Sequence, residues 1–281
     1  MSPILFSEKD PVSPIRYTYS LRQMLYEHRS TFGEIQIAEH DYFGRMLIID
    51  GVVQLTERDE YFYHEMLSHV PLHAHSSPSD VLIIGGGDGG TLREVLKHKR
   101  VKRAVLVELD KEVMEASRKF LPTLSTGFND PRTKVVISEG SKFISQQKEA
   151  FDIVLLDSTD PVGPAESLFT KSFFSDVRSA LKADGILAAQ TESLHFHLDF
   201  ICDVQHRLKQ AFGIVDLYTV PMATYAGNWW TFSIASEYVD PRELALPCHV
   251  PTRYYAEDVH RNAFLAPSLY QRMIGRKRHI H

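Results

Sequence analysis

Asp88 sits inside a glycine run, VLIIGGGDGG, and Asp157 and Asp160 stand three residues apart in FDIVLLDSTDPVGPAESLF. Gly85, Gly87 and Gly90 fit G-x-G-x-x-G between an apolar run and a helical pattern, the context in which such a loop cradles a nucleotide. Glycines allow close backbone approach, and the following helix N-terminus offers free N–H groups. Glu108 ends the next apolar run, where a carboxylate can accept both hydroxyls of a ribose. Together they predict an adenosine-type ligand. Asp88 would repel a pyrophosphate and would sit poorly beside the carboxylate of S-adenosylmethionine. The charge that suits it is an ammonium with no carboxylate next to it. A plainer reading is that Asp88 caps the following helix.

Asp157 is expected at the C-terminal end of a buried strand, beside the crevice where α/β sheets bind ligands. Asp160 precedes Pro161, so turn chemistry accounts for it as well as function does. With Asp88 the two carboxylates predict a strongly anionic pocket, suited to a polycation or a metal. Metal is the weaker reading because no His or Cys lies nearby in sequence. His69 and His73 are four apart, but Pro71 between them is expected to break the helix they would need.

The elements that must position these groups are readable. Residues 1 to about 55 are β-rich, with strands in GEIQIAEH and GRMLIIDGVVQL and turns at Asp41, Gly44 and Asp50-Gly51. TERDEYFYHEMLSHV reads as a helix opened by a capping box, Thr56 with Asp59. Strands are then predicted at 81–84, 104–108, 134–137, 153–157, 186–190, 215–220 and 229–235. Helical patterns fall at 91–98, 111–120, 171–182 and 196–211. Alternation with all-apolar strands predicts a parallel sheet covered on both faces. The last two strands have no helix between them, which predicts an antiparallel hairpin at one edge. The last 40 or so residues show little pattern.

The 281 residues carry a formal charge of −5 and no basic stripe, which argues against a nucleic-acid partner. The cluster Arg276-Lys277-Arg278 reads as a solvated tail. Cys202 and Cys248 have no CxxC partner, so neither a zinc site nor a disulfide framework is expected. No apolar run is long enough for a membrane span, and the first residues do not fit a signal peptide. The expectation is a soluble cytoplasmic protein with no permanently bound cofactor.

DGVVQLTERDEYFYHEMLSHVP, VLIIGGGDGGTLREVLKH, VLVELD and LLDSTDPVGPAESLFT together resemble the polyamine aminopropyltransferases, the spermidine synthase family, from about Gly44 to Glu237 and again in RYYAEDVHRNAF. The resemblance implies an α/β fold: a Rossmann-like, methyltransferase-type seven-stranded sheet with a small N-terminal β domain, in a dimer or tetramer. It divides the chain into an N-terminal β domain (1–55), a catalytic domain (56–240) and a C-terminal extension packed on it (241–281). It implies transfer of the aminopropyl group of decarboxylated S-adenosylmethionine to a diamine, putrescine first among them, with release of 5'-methylthioadenosine. Asp88 would then face the donor's ammonium and disfavour ordinary S-adenosylmethionine. Carried over by motif, Asp157 is the proton acceptor and Glu108 binds the ribose. Glu139-Gly140 and Pro164 lie at the adenine, and Gln54 lies at the mouth of the amine and aminopropyl groups. Tyr63, His64, Ser158, Thr159, Asp160 and Tyr225 surround the amine and aminopropyl groups.

The chain departs from the family pattern in places. Gly33 stands where the family has a ribose-binding glutamine, so a donor contact is expected to be missing, and Gly33→Gln tests whether another group already covers the ribose. The N-terminal tryptophan near the amine tunnel is absent, with Tyr17, Tyr19 or Phe6 as candidate replacements. Ala223 replaces a proline, and Glu139 is one methylene longer than the usual Asp. Two other readings remain: an S-adenosylmethionine-dependent methyltransferase-like enzyme, and a non-catalytic binder of polyamine or nucleoside.

Overall fold

The computed structural model describes residues 4–10 and 14–275. The basic triplet Arg276, Lys277 and Arg278 lies outside the described residues. Strands β1 (Ile4–Lys9) and β2 (Arg16–Leu21) form an antiparallel hairpin. Strands β3 (Gln23–Arg29), β4 (Glu34–His40), β5 (Gly44–Ile49) and β6 (Val52–Thr56) form a four-stranded antiparallel sheet. Its β5–β6 turn uses Asp50 and Gly51, both at positive φ (49° and 78°), the conformation that Asp and Gly enter most readily. Ile35 and Ile37 of β4 are fully buried against Val113 and Ala116, which seats this sheet on the helix Lys111–Phe120 of the larger domain.

The helix α1 (Glu60–Ala74) leads into the main sheet. There β7 (Asp80–Gly85), α2 (Gly90–Leu96), β8 (Arg103–Glu108), α3 (Lys111–Phe120), β9 (Thr133–Ile137), α4 (Gly140–Ile144), β10 (Phe151–Asp157), α5 (Lys171–Ala180), β11 (Leu181–Ser193), α6 (Leu198–Leu208), β12 (Ile214–Pro221) and β13 (Trp229–Ser236) follow in turn. The strand order is β12-β13-β11-β10-β7-β8-β9. From β7 the chain winds through β8 and β9 on one side, then returns to β10 and β11 on the other. The switch point lies between β7 and β10, where the glycine loop and Asp157 emerge side by side. All seven predicted strands are present. The expected antiparallel hairpin forms at one edge, with β12 outermost and β13 between it and β11. Burial explains this: β13 is buried along almost its whole length, whereas β12 is only partly covered.

Three local expectations are corrected. No capping box opens α1: Thr56 donates to Asp59 at 2.6 Å, and the other Asp59 oxygen accepts from the Thr224 backbone N–H and hydroxyl, so the helix begins at Glu60. Pro71 does not break α1, which runs through it to Ala74. The Tyr218 hydroxyl donates to the Met66 carbonyl, one residue before the Leu67 carbonyl whose helical donor the proline removes. His69 and His73 therefore share one helical stretch with His98 close by, a nitrogen of each lying within 4.8 Å of the others. His69 bonds His98 at 2.9 Å and Glu94 at 3.0 Å, and His73 donates to the His69 carbonyl, a hydrogen-bonded core network. Finally, the unpatterned C-terminal residues form α7 (Glu257–Ala263) and α8 (Pro267–Met273). Leu265, Tyr270 and Ile274 pack against Leu194, Ile201 and Leu217 of the main domain. The Glu65 carboxylate, 1% exposed, accepts the backbone N–H groups of Arg253, Tyr254 and Tyr255 at 2.8 Å each.

Candidate active site

At the switch point the strands are stitched together before any side chain is considered. Gly86 N–H donates to the Asp157 carbonyl at 2.8 Å, and a Cβ on Gly85 (φ 83°) would lie 2.1 Å from that oxygen. A Cβ on Gly87 would meet the Glu108 carboxylate at 2.7 Å. The missing side chains let the glycine run thread between Asp157 and Glu108.

A cavity of about 460 Å³ opens over this loop. It is lined by every residue singled out from the sequence except Asp160: Gln54, Tyr63, His64, Asp88, Glu108, Glu139, Gly140, Asp157, Ser158, Thr159, Pro164 and Tyr225. Asp160 instead lines a smaller neighbouring cavity of about 50 Å³, which shares Gln54, Tyr63, Ser158 and Tyr225 with the first.

Asp157 is held by two hydroxyls, from Tyr63 at 2.8 Å and from Thr91 at 2.6 Å. Burial and then the Asp88 charge raise its carboxyl above the ordinary value, against the pull of His64 and the two hydroxyls. Asp88 accepts from Gly90 N–H at 2.7 Å without capping the helix, whose N-cap is Gly89 at φ 91°, and it also faces His64 Nε2 at 3.3 Å. Burial would raise Asp88, but the His64 charge outweighs it and holds the carboxyl low. His64 is bonded on its other nitrogen to Glu60 at 2.6 Å, and Glu60 is bonded to Arg93 at 2.8 Å. Burial pulls the His64 imidazole down, yet Asp88 and Glu60 lift it to about 10. Glu108 is pushed up to about 7 by burial, although the backbone N–H of Asp110 donates to it at 2.9 Å.

His64 fixes a pH dependence of stability. Its folded value lies above the ordinary 6.5, so its contribution is fully present below about 6.5 and is lost as pH rises towards about 10. The ligand-free protein is expected to lose several degrees of Tm between about pH 7 and about pH 9.5, and His64→Gln to flatten that slope. Equal slopes in thermal melts of the two proteins would refute the assignment.

The smaller cavity joins Gln54, Tyr63, Ser158, Asp160 and Tyr225, all expected near the amine, to residues the sequence did not single out. Its walls are Glu8, Lys9 and Asp10 from the first hairpin, Asp160 from the loop after β10, Gln190 and Glu192 from β11, His197, and Trp230. Glu192 takes a positive φ (69°) at the irregularity where the β11–β13 register shifts, backbone strain of the kind found at binding sites. Burial and then Asp160 raise Glu192 well above the ordinary carboxyl, and Asp160, itself raised by burial, shares a hydrogen bond with it. Burial lifts Glu8 to about 7. Among the described residues, Ser158 Oγ, Glu192 Oε1, His197 Nδ1 and Trp230 Nε1 are buried without a hydrogen-bond partner around this space. The expected replacements for the missing tryptophan do not line it: the Tyr19 hydroxyl donates to the Thr224 carbonyl, the Tyr17 hydroxyl accepts from Gly227, and Phe6 lies against Tyr19. The indole comes from Trp230 at the far end of the chain. Gly33 is closely approached by Asp50. A Cβ there would lie 2.5 Å from the Asp50 carboxylate, so a glutamine cannot enter without displacing Asp50.

Residues 60–243 match the spermine/spermidine synthase domain, and residues 4–57 match the spermidine synthase tetramerisation domain. The polyamine aminopropyltransferase of Hydrogenobaculum sp. strain Y04AAS1 is 52% identical over 275 residues, covering 98% of both chains. Polyamine aminopropyltransferase 1 of Aquifex aeolicus is 55% identical over the same length and coverage. A crystal structure of spermidine synthase in complex with the transition-state analogue AdoDATO superposes with a TM-score of 0.92 at 36% identity, covering 97% of this chain and 95% of that one. Spermidine synthase from Thermotoga maritima gives 0.89 at 35% identity, with 97% and 94% covered. Matched along nearly its whole length in sequence and in fold, the chain belongs to the spermine/spermidine synthase family.

Proposed function

We propose that the protein transfers the aminopropyl group of decarboxylated S-adenosylmethionine to a diamine, putrescine giving spermidine, and releases 5'-methylthioadenosine. The observation that carries this reading is the pair of joined cavities, one bearing Asp88 and Asp157 beside a nucleoside-type loop, the other ringed by Glu8, Asp160 and Glu192. The larger holds the donor: Glu108 on the ribose, Glu139, Gly140 and Pro164 around the adenine, and Asp88 on the ammonium. The amine spans both, its reacting nitrogen at Asp157 and its distal ammonium among the acids of the smaller cavity. Gln54, Tyr63, His64, Ser158, Thr159 and Tyr225 shape the junction.

In this reading the amine nitrogen attacks the aminopropyl carbon bonded to sulfur. The C–S bond breaks, its electron pair goes to the sulfonium, and a neutral thioether leaves, so no general acid is required. An alkylammonium has a pKa of roughly 10, so the amine must first lose a proton, and Asp157 accepts it. The raised carboxyl of Asp157 makes it a stronger base than an ordinary aspartate. Tyr63 and Thr91 fix its orientation, and in-line placement of the two substrates does much of the rest.

We further propose three working parts: residues 1–55 as the oligomerising β domain, 56–240 as the catalytic domain and 241–281 as an extension packed on it. Assembly would be a homodimer or homotetramer in the cytoplasm. Among the described residues no helix is long and apolar enough to cross a membrane. The test is incubation with decarboxylated S-adenosylmethionine and putrescine, cadaverine, agmatine, 1,3-diaminopropane or spermidine, with ordinary S-adenosylmethionine as parallel donor. Mass spectrometry is expected to show methylthioadenosine and one dominant product, from the decarboxylated donor alone. A folded protein that transfers to none of these amines would end the proposal.

A further inference from the structure

One wall of the larger cavity is made by the N-terminal sheet, and two residues of its turns, Gly33 and Asp50, meet there. Asp50 takes φ 49° in the β5–β6 turn, and its carboxylate turns towards the β3–β4 turn, where Oδ1 accepts from the Glu34 backbone N–H at 2.8 Å. Its other oxygen lies 2.5 Å from the point a side chain at position 33 would start from. Gly33 is thus the vacancy that lets Asp50 reach inward, and both line the larger cavity.

The β3–β4 turn is itself fixed to the nucleoside side of that cavity. Ser30 Oγ accepts from Phe32 N–H at 3.0 Å and from Gly33 N–H at 3.2 Å, and its hydroxyl donates to the Asp110 carboxylate. Asp110 caps α3 through Glu112 N–H and donates its own N–H to Glu108. Contacts therefore run from Asp50 through Gly33, Ser30 and Asp110 to Glu108. They tie Asp50 to the Glu108 end of the cavity rather than to Asp88 and Asp157. Phe32 lies at the same rim, 47% exposed, with its ring unburied by the protein.

We propose that Asp50 is a donor-binding residue whose carboxylate accepts a ribose hydroxyl from the face opposite Glu108. It takes the place of the amide that position 33 lacks, while Phe32 covers the nucleoside at the rim. The geometry suits the ligand: a vicinal diol offers two donors, and carboxylates on either side can take one each. The additional negative charge is also compatible with a donor bearing a sulfonium and an ammonium. This rests on reading the larger cavity as the nucleoside site.

The test is isothermal titration of 5'-methylthioadenosine and its 2'-deoxy and 3'-deoxy forms into wild type, Asp50→Asn, Asp50→Ala, Gly33→Gln and the double variant Asp50→Ala/Gly33→Gln. Asp50 is exposed at the surface, so its replacements are expected to fold, with circular dichroism as the check. Both Asp50 variants should bind the parent nucleoside about tenfold more weakly, the scale of one charge-assisted hydrogen bond. The deficit should fall below about twofold for one of the two deoxy compounds, since its bond is already gone. Gly33→Gln should weaken binding in wild type, where it evicts Asp50, and strengthen it in the Asp50→Ala background. Wild-type binding by Asp50→Ala, or the same deficit for all three ligands, overturns the assignment alone. No binding of methylthioadenosine by folded wild type overturns the nucleoside reading and this assignment with it.

Discussion

Asp157→Asn is expected to lower kcat by about a thousandfold, within the span that a positioned acid–base group contributes, while methylthioadenosine still binds. The side chains are nearly isosteric, and the backbone stitch from Gly86 to the Asp157 carbonyl does not depend on the side chain. What changes is the electron pair. Tyr63 and Thr91 both donate to the carboxylate, so an amide must turn its NH₂ towards one of two donors and cannot accept the amine's proton. Because the wild-type carboxyl is raised, its loss of activity on acidification should begin at a higher pH than for an ordinary aspartate. Single-turnover quench kinetics across pH separates this from slow product release. A residual rate within about tenfold of wild type would transfer the base role to another group.

Asp88→Asn should have its largest effect on donor choice. Asparagine can keep the bond from Gly90 N–H but loses the charge facing His64 and, in the proposed complex, the donor's ammonium. A charged hydrogen bond of about 1.5–3 kcal/mol corresponds to about 10- to 150-fold in KM for decarboxylated S-adenosylmethionine. The same change removes the repulsion against the carboxylate of the ordinary donor, so the preference between the two should narrow from both directions. Two titrations should move with it. Asp157 loses the Asp88 charge that helps to raise it, so its acid limb should shift to lower pH, and His64 should lose part of its lift. Competition binding of the two donors together with a pH–rate profile tests this. An unchanged donor ratio would mean that Asp88 serves the loop and not the ligand.

The chemistry near Asp88, Glu108 and Asp157 was readable because each terminates or follows a strand, and a parallel sheet brings successive strand ends to one edge. Local pattern was enough there. The smaller cavity was not readable for the opposite reason. Glu8, Glu192, His197 and Trp230 come from distant parts of the chain, and what joins them is an irregularity in β11 that leaves no periodic trace. The contact between Gly33 and Asp50 belongs to the same class: two turns that meet only once the sheet has formed. Pro71 shows a local rule giving way to tertiary contact, since a helix buried from Tyr63 to Ala74 absorbs a residue that would end an isolated one. The seven-residue helices α7 and α8 are too short for periodicity to show.

Glu65 follows Tyr63 and His64 directly, so three consecutive residues of α1 serve three different partners. Tyr63 turns to Asp157, His64 to Asp88, and Glu65 to the backbone of Arg253, Tyr254 and Tyr255, 188 to 190 residues further along. Until that distant segment emerges from the ribosome, the Glu65 carboxylate has no such donors and cannot be buried without severe cost. The helical turn that aims Tyr63 and His64 therefore settles late. Both sheets are built from residues that precede 253, while the turn that aims Tyr63 and His64 still needs the segment carrying Arg253, Tyr254 and Tyr255.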